Sequence, residues 1–181
     1  MPNVPKLSSL HQAEATLLHC VTKLSRLGGP YSPTSPRPSS QPPSPTVGDR
    51  RQFQIWLEQW EHAFTAFLTN GMASMNNEDV TQSRILKANH LACVILAADD
   101  PPAFDAFEVE FRAIIDLAGA VLRSRYLADS PQDSKSDGPP TVSVDLDVKD
   151  PLLVVVHRCT QETFRNRATE LLSRFYSTKS N

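Results

Sequence analysis

At 181 residues, 40% of them hydrophobic and 21% charged, the chain has the length of one domain carrying loose segments. Eighteen basic against twenty acidic side chains leave a net charge of −2, which excludes a generic polyanion binder. Cys20, Cys93 and Cys159 are spaced too widely for a disulfide framework or a zinc knuckle, the first residues, MPNVPKLSSL, contain no apolar signal-peptide core, and no stretch has the apolar length of a membrane span. A soluble, intracellular, single-domain protein is expected.

Residues 1–7 are expected to form a disordered tail. Over residues 8–27, Leu10, Ala13, Leu17, Val21 and Leu24 recur at gaps of three and four, the spacing of one buried helical stripe. Ser9 followed by Gln12 has the form of a capping box, and Gly28-Gly29-Pro30 stops the helix. Seven of the fifteen prolines then fall between Pro30 and Pro45, so residues 30–48 cannot sustain a helix and are expected to be a disordered, partly extended linker. Its Ser32-Pro33, Ser35-Pro36 and Ser44-Pro45 pairs have the form of sites for proline-directed kinases. A tolerated insertion between two helices is the commoner origin of such a loop.

The strongest helical pattern spans residues 49–69. Phe53, Trp56, Leu57, Trp60, Ala63, Phe64, Phe67 and Leu68 make a wide apolar face, closed by Asn70-Gly71. Aromatic residues at helical spacing with no basic residues interleaved predict core, not a stacking platform for bases. A third helix is predicted over residues 77–98, with Asn77 as its cap and Glu78 and Asp79 at its positive end. Its second half, LACVILAA, is apolar nearly all round, which predicts a central position.

Asp99-Asp100-Pro101-Pro102 ends that helix and starts the next, predicted over residues 103–127, with Phe104, Phe107, Phe111, Ile114, Ile115, Ala118, Val121 and Leu122 on one face. Residues 128–149 are polar and are expected to be a flexible loop. The β-branched run from Leu152 to Val156 resembles a buried strand, but nothing else in the chain offers it a partner strand. Asp150-Pro151 suits a helix start, so a short helix over 151–159 is predicted, followed by a last one over 161–175 carrying Phe164, Ala168, Leu171, Leu172 and Phe175. Residues 177–181 are expected to be a disordered tail. The predicted fold is therefore all-α: an irregular bundle of five to six helices over residues 8–176, with Trp56, Trp60, Phe64, Ile95, Phe107, Phe111 and Ile114 sharing one core.

The search for chemistry is mostly negative. The five histidines form no HExxH or Cys/His ligand spacing, and no phosphate-binding glycine loop or GxSxG elbow occurs. Glu58, Glu61 and His62 lie within one turn, an arrangement suited to acid–base work, but the amphipathic pattern puts them on the solvent side of their helix. His90 is expected at the edge of the core, and the cysteines as inert packing thiols. No catalytic, cofactor-binding or metal-ligating residue is assigned. Charge is uneven: residues 99–147 hold eleven acidic and four basic side chains, whereas Arg158, Arg165, Arg167, Arg174 and Lys179 outnumber Glu162 and Glu170 after His157. A basic last helix is more often a solvated face than a nucleic-acid contact.

Five segments in order carry a resemblance. SLHQAEATLLHCVTKL resembles an "SL-x-EA…L…L" helix, FQIWLEQWEHAFTAFL an "L-x-x-W-x-x-AF-x-x-FL" helix, and RILKANHLACVILAA an "LL-x-x-HH-x-x-x-I-x-L" helix with Asn89-His90 at the histidine pair. FDAFEVEFRAIIDLAGAVL is similar to "YD-x-F-x-x-EF-x-x-I-x-x-LA", and DPLLVVVHRCTQETFRNRATELLSRF to "PPLY-x-VA-x-KCR-x-P-x-x-R-x-x-A-x-x-LL". Together they resemble the C-terminal regulatory region of fungal zinc-cluster (six-cysteine) transcription factors, over most of residues 8–175. The six-cysteine block that reads DNA in that family has no counterpart here, Cys159 matches no zinc ligand, and Thr160 stands where the family has arginine. The resemblance implies a regulatory part standing alone: a nuclear, non-enzymatic module with no cofactor or metal. It would act through a protein partner (a transcription factor or coregulator) in control of secondary-metabolite genes, with no direct sequence-specific DNA binding and no membrane association. The alternative from a different class is a small helical ligand-binding protein or enzyme of a biosynthetic cluster, with a chamber between the second and fourth helices.

Overall fold

The computed structural model describes residues 4, 6–26, 47–98, 104–128 and 146–176. Among these, every regular element is helical: six α-helices and two short 3₁₀ turns, with no strand. The all-α expectation holds, including the helix through the β-branched run. The predicted linker at 30–46, the Ser-Pro pairs within it, most of the loop after residue 128, and the 177–181 tail lie outside the described residues.

Helix α1 (Leu10–Arg26) starts on Ser9, whose Oγ accepts the Gln12 amide at 3.2 Å. The reciprocal half of the capping box is displaced by one residue: Gln12 Oε1 accepts from the amide and hydroxyl of Ser8, each at 2.9 Å. Ala13, Leu17, Cys20 and Leu24 form its buried stripe. The expected 1–7 tail is corrected at its end, because Leu7 is buried and Val4 packs against the core edge.

Helix α2 (Val47–Gly71) begins two residues before the predicted Asp49, inside the expected linker, and runs past Thr69. The expected closure at Asn70-Gly71 holds, since α2 ends at Gly71, and the Asn70 side-chain amide donates back to Ala66 O at 2.9 Å in its last turn. A 3₁₀ turn, Met72–Ser74, follows. Helix α3 (Asn77–Ala97) is capped by Asn76, not by the predicted Asn77. The reason lies three residues on: Asn76 Oδ1 accepts from Asp79 N at 2.8 Å, and Asp79 Oδ2 accepts from Asn76 N at 3.1 Å. Counted from Asn77, the third residue is Val80, which has nothing to return. The far end of α3 is held by α2: Arg50 donates to Ala98 O at 3.2 Å and Gln54 to Ala97 O at 3.3 Å, satisfying carbonyls that a helix end leaves open.

Helix α3 is central, as its all-round apolar second half predicts, and packs against α1, α2, α4 (Glu108–Ala128) and α5 (Lys149–Arg158). The predicted fourth helix is divided into a 3₁₀ turn, Phe104–Phe107, and α4 (Glu108–Ala128). That division explains one correction to the expected core. Phe111 and Ile114 are fully buried on the α4 stripe, whereas Phe107 sits in the turn ahead of it and is half-buried. Helix α5 (Lys149–Arg158) starts two residues before Pro151, and α6 (Glu162–Tyr176) closes over α4 and α5.

The expected 128–149 loop is corrected at both ends. Ala128 belongs to α4, while Leu146 and Val148 are buried in the core. Between those two, Asp147 joins four helices. Its backbone carbonyl accepts from Asn89 of α3, and its carboxylate accepts from Arg125 of α4, from Val148 N before α5 and from Tyr176 of α6, all at 2.7–2.9 Å. Burial, reinforced by that carboxylate, pushes the Tyr176 phenol well above its ordinary range.

Candidate functional site

Three places gather polar or reactive groups. The first is the α2–α3 interface. Glu58 and His62 are exposed, as expected, but Glu61 is not on that solvent face. It turns toward α3 and pairs with Lys87 through Oε1, while Oε2 lies 3.3 Å from His90 Nδ1. His90 is no edge residue: only 4% exposed, it stacks on Trp60 with ring centroids 5.1 Å apart, and its Nε2 meets Leu57 O at 3.0 Å.

The imidazole thus lies between two acceptors, a carbonyl and a carboxylate. A neutral ring donates one proton and satisfies one of them; only the imidazolium satisfies both. Burial opposes the imidazolium and is the largest influence. The Leu57 carbonyl and Glu61 draw the other way, Lys87 adds to the burial effect, and the net result is a lowered pKa. Neutral His90 then donates to Leu57 and turns a lone pair toward Glu61, consistent with neither His90 Nδ1 nor Glu61 Oε2 having a hydrogen-bond partner. The pair is chemically capable of holding a proton. Its ring is sealed in the core, however, and neither concavity described next is lined by it.

The second place is a half-enclosed cavity of ≈130 Å³ where α1, α3 and α5 meet, walled mainly by apolar side chains and by Asn89, Cys93 and Asp150. Asn89, 3% exposed, directs its amide hydrogens to Ile85 O and Asp147 O, each at 2.9 Å. All three cysteines are free and buried, as packing thiols should be. A hydrogen bond with Cys20, then burial, raises the Cys93 thiol well above its ordinary value, which suppresses thiolate chemistry.

The third is an open groove of ≈590 Å³ between α4 and α6. Ile115 and Phe164 supply its apolar surface, with the Arg112 guanidinium 5.7 Å from the Phe164 ring centroid. Arg112, Arg167, Asp116 and Glu170 bring both signs of charge to it. Arg112 pairs with Glu108 at 2.7 Å and Arg167 with Glu170 at 2.6 Å, both on the exposed surface of their own helices. Part of the basic character expected of the last helix therefore faces this groove.

Among the described residues, no group of three or more His, Cys, Asp or Glu side chains is placed to hold a metal ion, and no helix is long and apolar enough to cross a membrane. The sequence pattern contains no signal for the Asp147 junction or the Glu61–His90 contact, since both join residues far apart in the chain. Comparison with models of protein families, with curated proteins and with solved structures finds no match.

Proposed function

We propose that this chain is a non-enzymatic, helical interaction module of a transcription regulator, of the kind its sequence resembles in fungal zinc-cluster factors. It works in the nucleus by protein–protein contact, without cofactor or metal, in the control of secondary-metabolite genes. The observation that carries the reading is the open α4–α6 groove, with an apolar surface edged by both signs of charge. An amphipathic helix of a DNA-binding partner fits that chemistry: its apolar stripe covers Ile115 and Phe164, and its flanking charges of both signs meet Arg112, Asp116, Glu162, Arg167 and Glu170. Target genes are then chosen by the partner's own DNA-reading domain.

The rival, a small ligand-binding protein or enzyme, was expected to enclose a chamber between the second and fourth helices. Helix α2 packs on α3 rather than on α4, and the large concavity is an open groove. Both facts favour the docking reading. The test has two arms. Footprinting with the chain alone should protect no discrete site, and any contact with DNA should fade as salt rises, because only phosphate charge would hold it. Tethered to an unrelated DNA-binding domain, the chain should alter reporter output, and Arg112→Glu with Arg167→Glu should abolish that effect while circular dichroism stays helical. A discrete protected site at physiological salt, or a reporter effect indifferent to the groove charges, overturns the proposal.

A further inference from the structure

The cavity among α1, α3 and α5 has the size and lining of a ligand site, independently of whether the groove docks a partner. Its ≈130 Å³ is bounded by Val21 and Leu24 of α1, Ala92 and Leu96 of α3, and Val154 of α5, with Asn89 as its buried polar member and the exposed Asp150 as its charged one. A cavity of about 150 Å³ with aliphatic and aromatic walls holds one benzene, so this one suits a single six-membered ring. The polar lining decides what that ring must carry: the Asp150 carboxylate is an acceptor, and Asn89 presents one as well. Both hydrogens of its amide are engaged by backbone carbonyls, so its remaining capacity is the carbonyl oxygen, an acceptor. We propose that this cavity binds a small cyclic or aromatic molecule bearing one hydrogen-bond donor, a phenol being the simplest example, with the donor on Asn89 and the ring against the aliphatic walls.

The selectivity follows from what each ligand leaves behind in water. A hydroxyl moved into a dry cavity without an acceptor loses its water hydrogen bonds uncompensated, so such a cavity takes toluene and rejects phenol. A cavity that presents an acceptor reverses the order or levels it. The position among three helices makes binding felt beyond the site: Asn89 also holds Asp147, and through it α4 and α6. An occupant that fixes Asn89 therefore bears on the junction of α3, α4 and α6.

The test uses the full chain with methyl NMR titration by toluene and by phenol. Both ligands should shift the Val21, Leu24 and Val154 methyls saturably, with phenol binding at least as tightly as toluene. Ala92→Leu places three more carbons in the cavity and should weaken both by tenfold or more, with the helical circular dichroism retained. Absence of saturable shifts for both ligands overturns the proposal, and so do equal affinities in the Ala92→Leu chain. Binding of toluene with rejection of phenol overturns the role given to Asn89, and so does a preference for phenol that is lost in Asp150→Ala. The ligand series is run on the unaltered protein, so the result stands even where the variant folds poorly.

Discussion

Replacing His90 by phenylalanine isolates the consequences of an imidazole held between two acceptors. The ring remains, so the stacking on Trp60 at 5.1 Å is largely kept, while both nitrogens are lost. The bond from Nε2 to Leu57 O disappears, at a cost of about 1 kcal/mol. Leu57 lies inside α2, so its carbonyl keeps its intrahelical partner and is not orphaned. The larger ring adds about 1 kcal/mol of crowding in a sealed core. At pH 8 the variant should therefore be less stable by about 1–2 kcal/mol, read as a lower urea midpoint at unchanged slope.

The pH dependence gives the sharper test. Burial sets the folded pKa of His90 below its ordinary 6.5, so as pH falls the unfolded chain takes up the proton before the folded one does. Stability contributed by the neutral ring is complete above pH 6.5 and is lost on descent toward the folded pKa. Phenylalanine has no such loss, so the gap between wild type and His90→Phe should narrow or close at pH 5. The remaining titrating groups are common to the two proteins and cancel in the difference. Glu61→Gln removes a carboxylate that partly offsets burial, and should steepen the loss. A gap equal at pH 8 and pH 5, or wider at pH 5, would refute the argument.

Three further outcomes follow from other contacts. Asn76→Ala and Asp79→Ala should each cost about 1 kcal/mol, and the double variant less than their sum, because the two residues serve one capping box; chemical denaturation of the four proteins checks this. Trp60→Phe should cost about 2 kcal/mol by thermal unfolding, since it removes both ring volume and the indole N–H bond to Thr16 Oγ1 at 3.1 Å. Asp147→Asn removes the negative charge beside Tyr176 and leaves its burial opposed by the Arg125 guanidinium, so ultraviolet titration should find this phenol ionising at lower pH than in the wild type; an unchanged curve would deny the carboxylate its part.

Helix positions and most buried faces were legible in the sequence, because an amphipathic stripe is a local statement repeated every turn. Phe53, Trp56, Leu57, Trp60 and Phe64 announce one face of α2, and all five are buried. LACVILAA announces a helix surrounded by others, and α3 is that helix. Even Leu152–Val156 resolved into helix α5, since a lone strand has no ladder to join. Cap choice was nearly legible: two adjacent asparagines both suit the position, and the reciprocal bond from Asp79 selects Asn76.

Tertiary structure alone decided the polar interior. A buried polar side chain must find its partner wherever the packed helices bring one, and periodicity carries no information about that. Glu61 has the spacing of a solvent-face residue until α3 brings Lys87 and His90 against it. Asn89 and His90 interrupt an apolar run and are buried because Asp147 and Leu57 supply carbonyls from elsewhere in the chain. Asp147 sits in a segment with the composition of a loop, yet it ties together α3, α4, α5 and α6, because its backbone and carboxylate can accept from four sides at once.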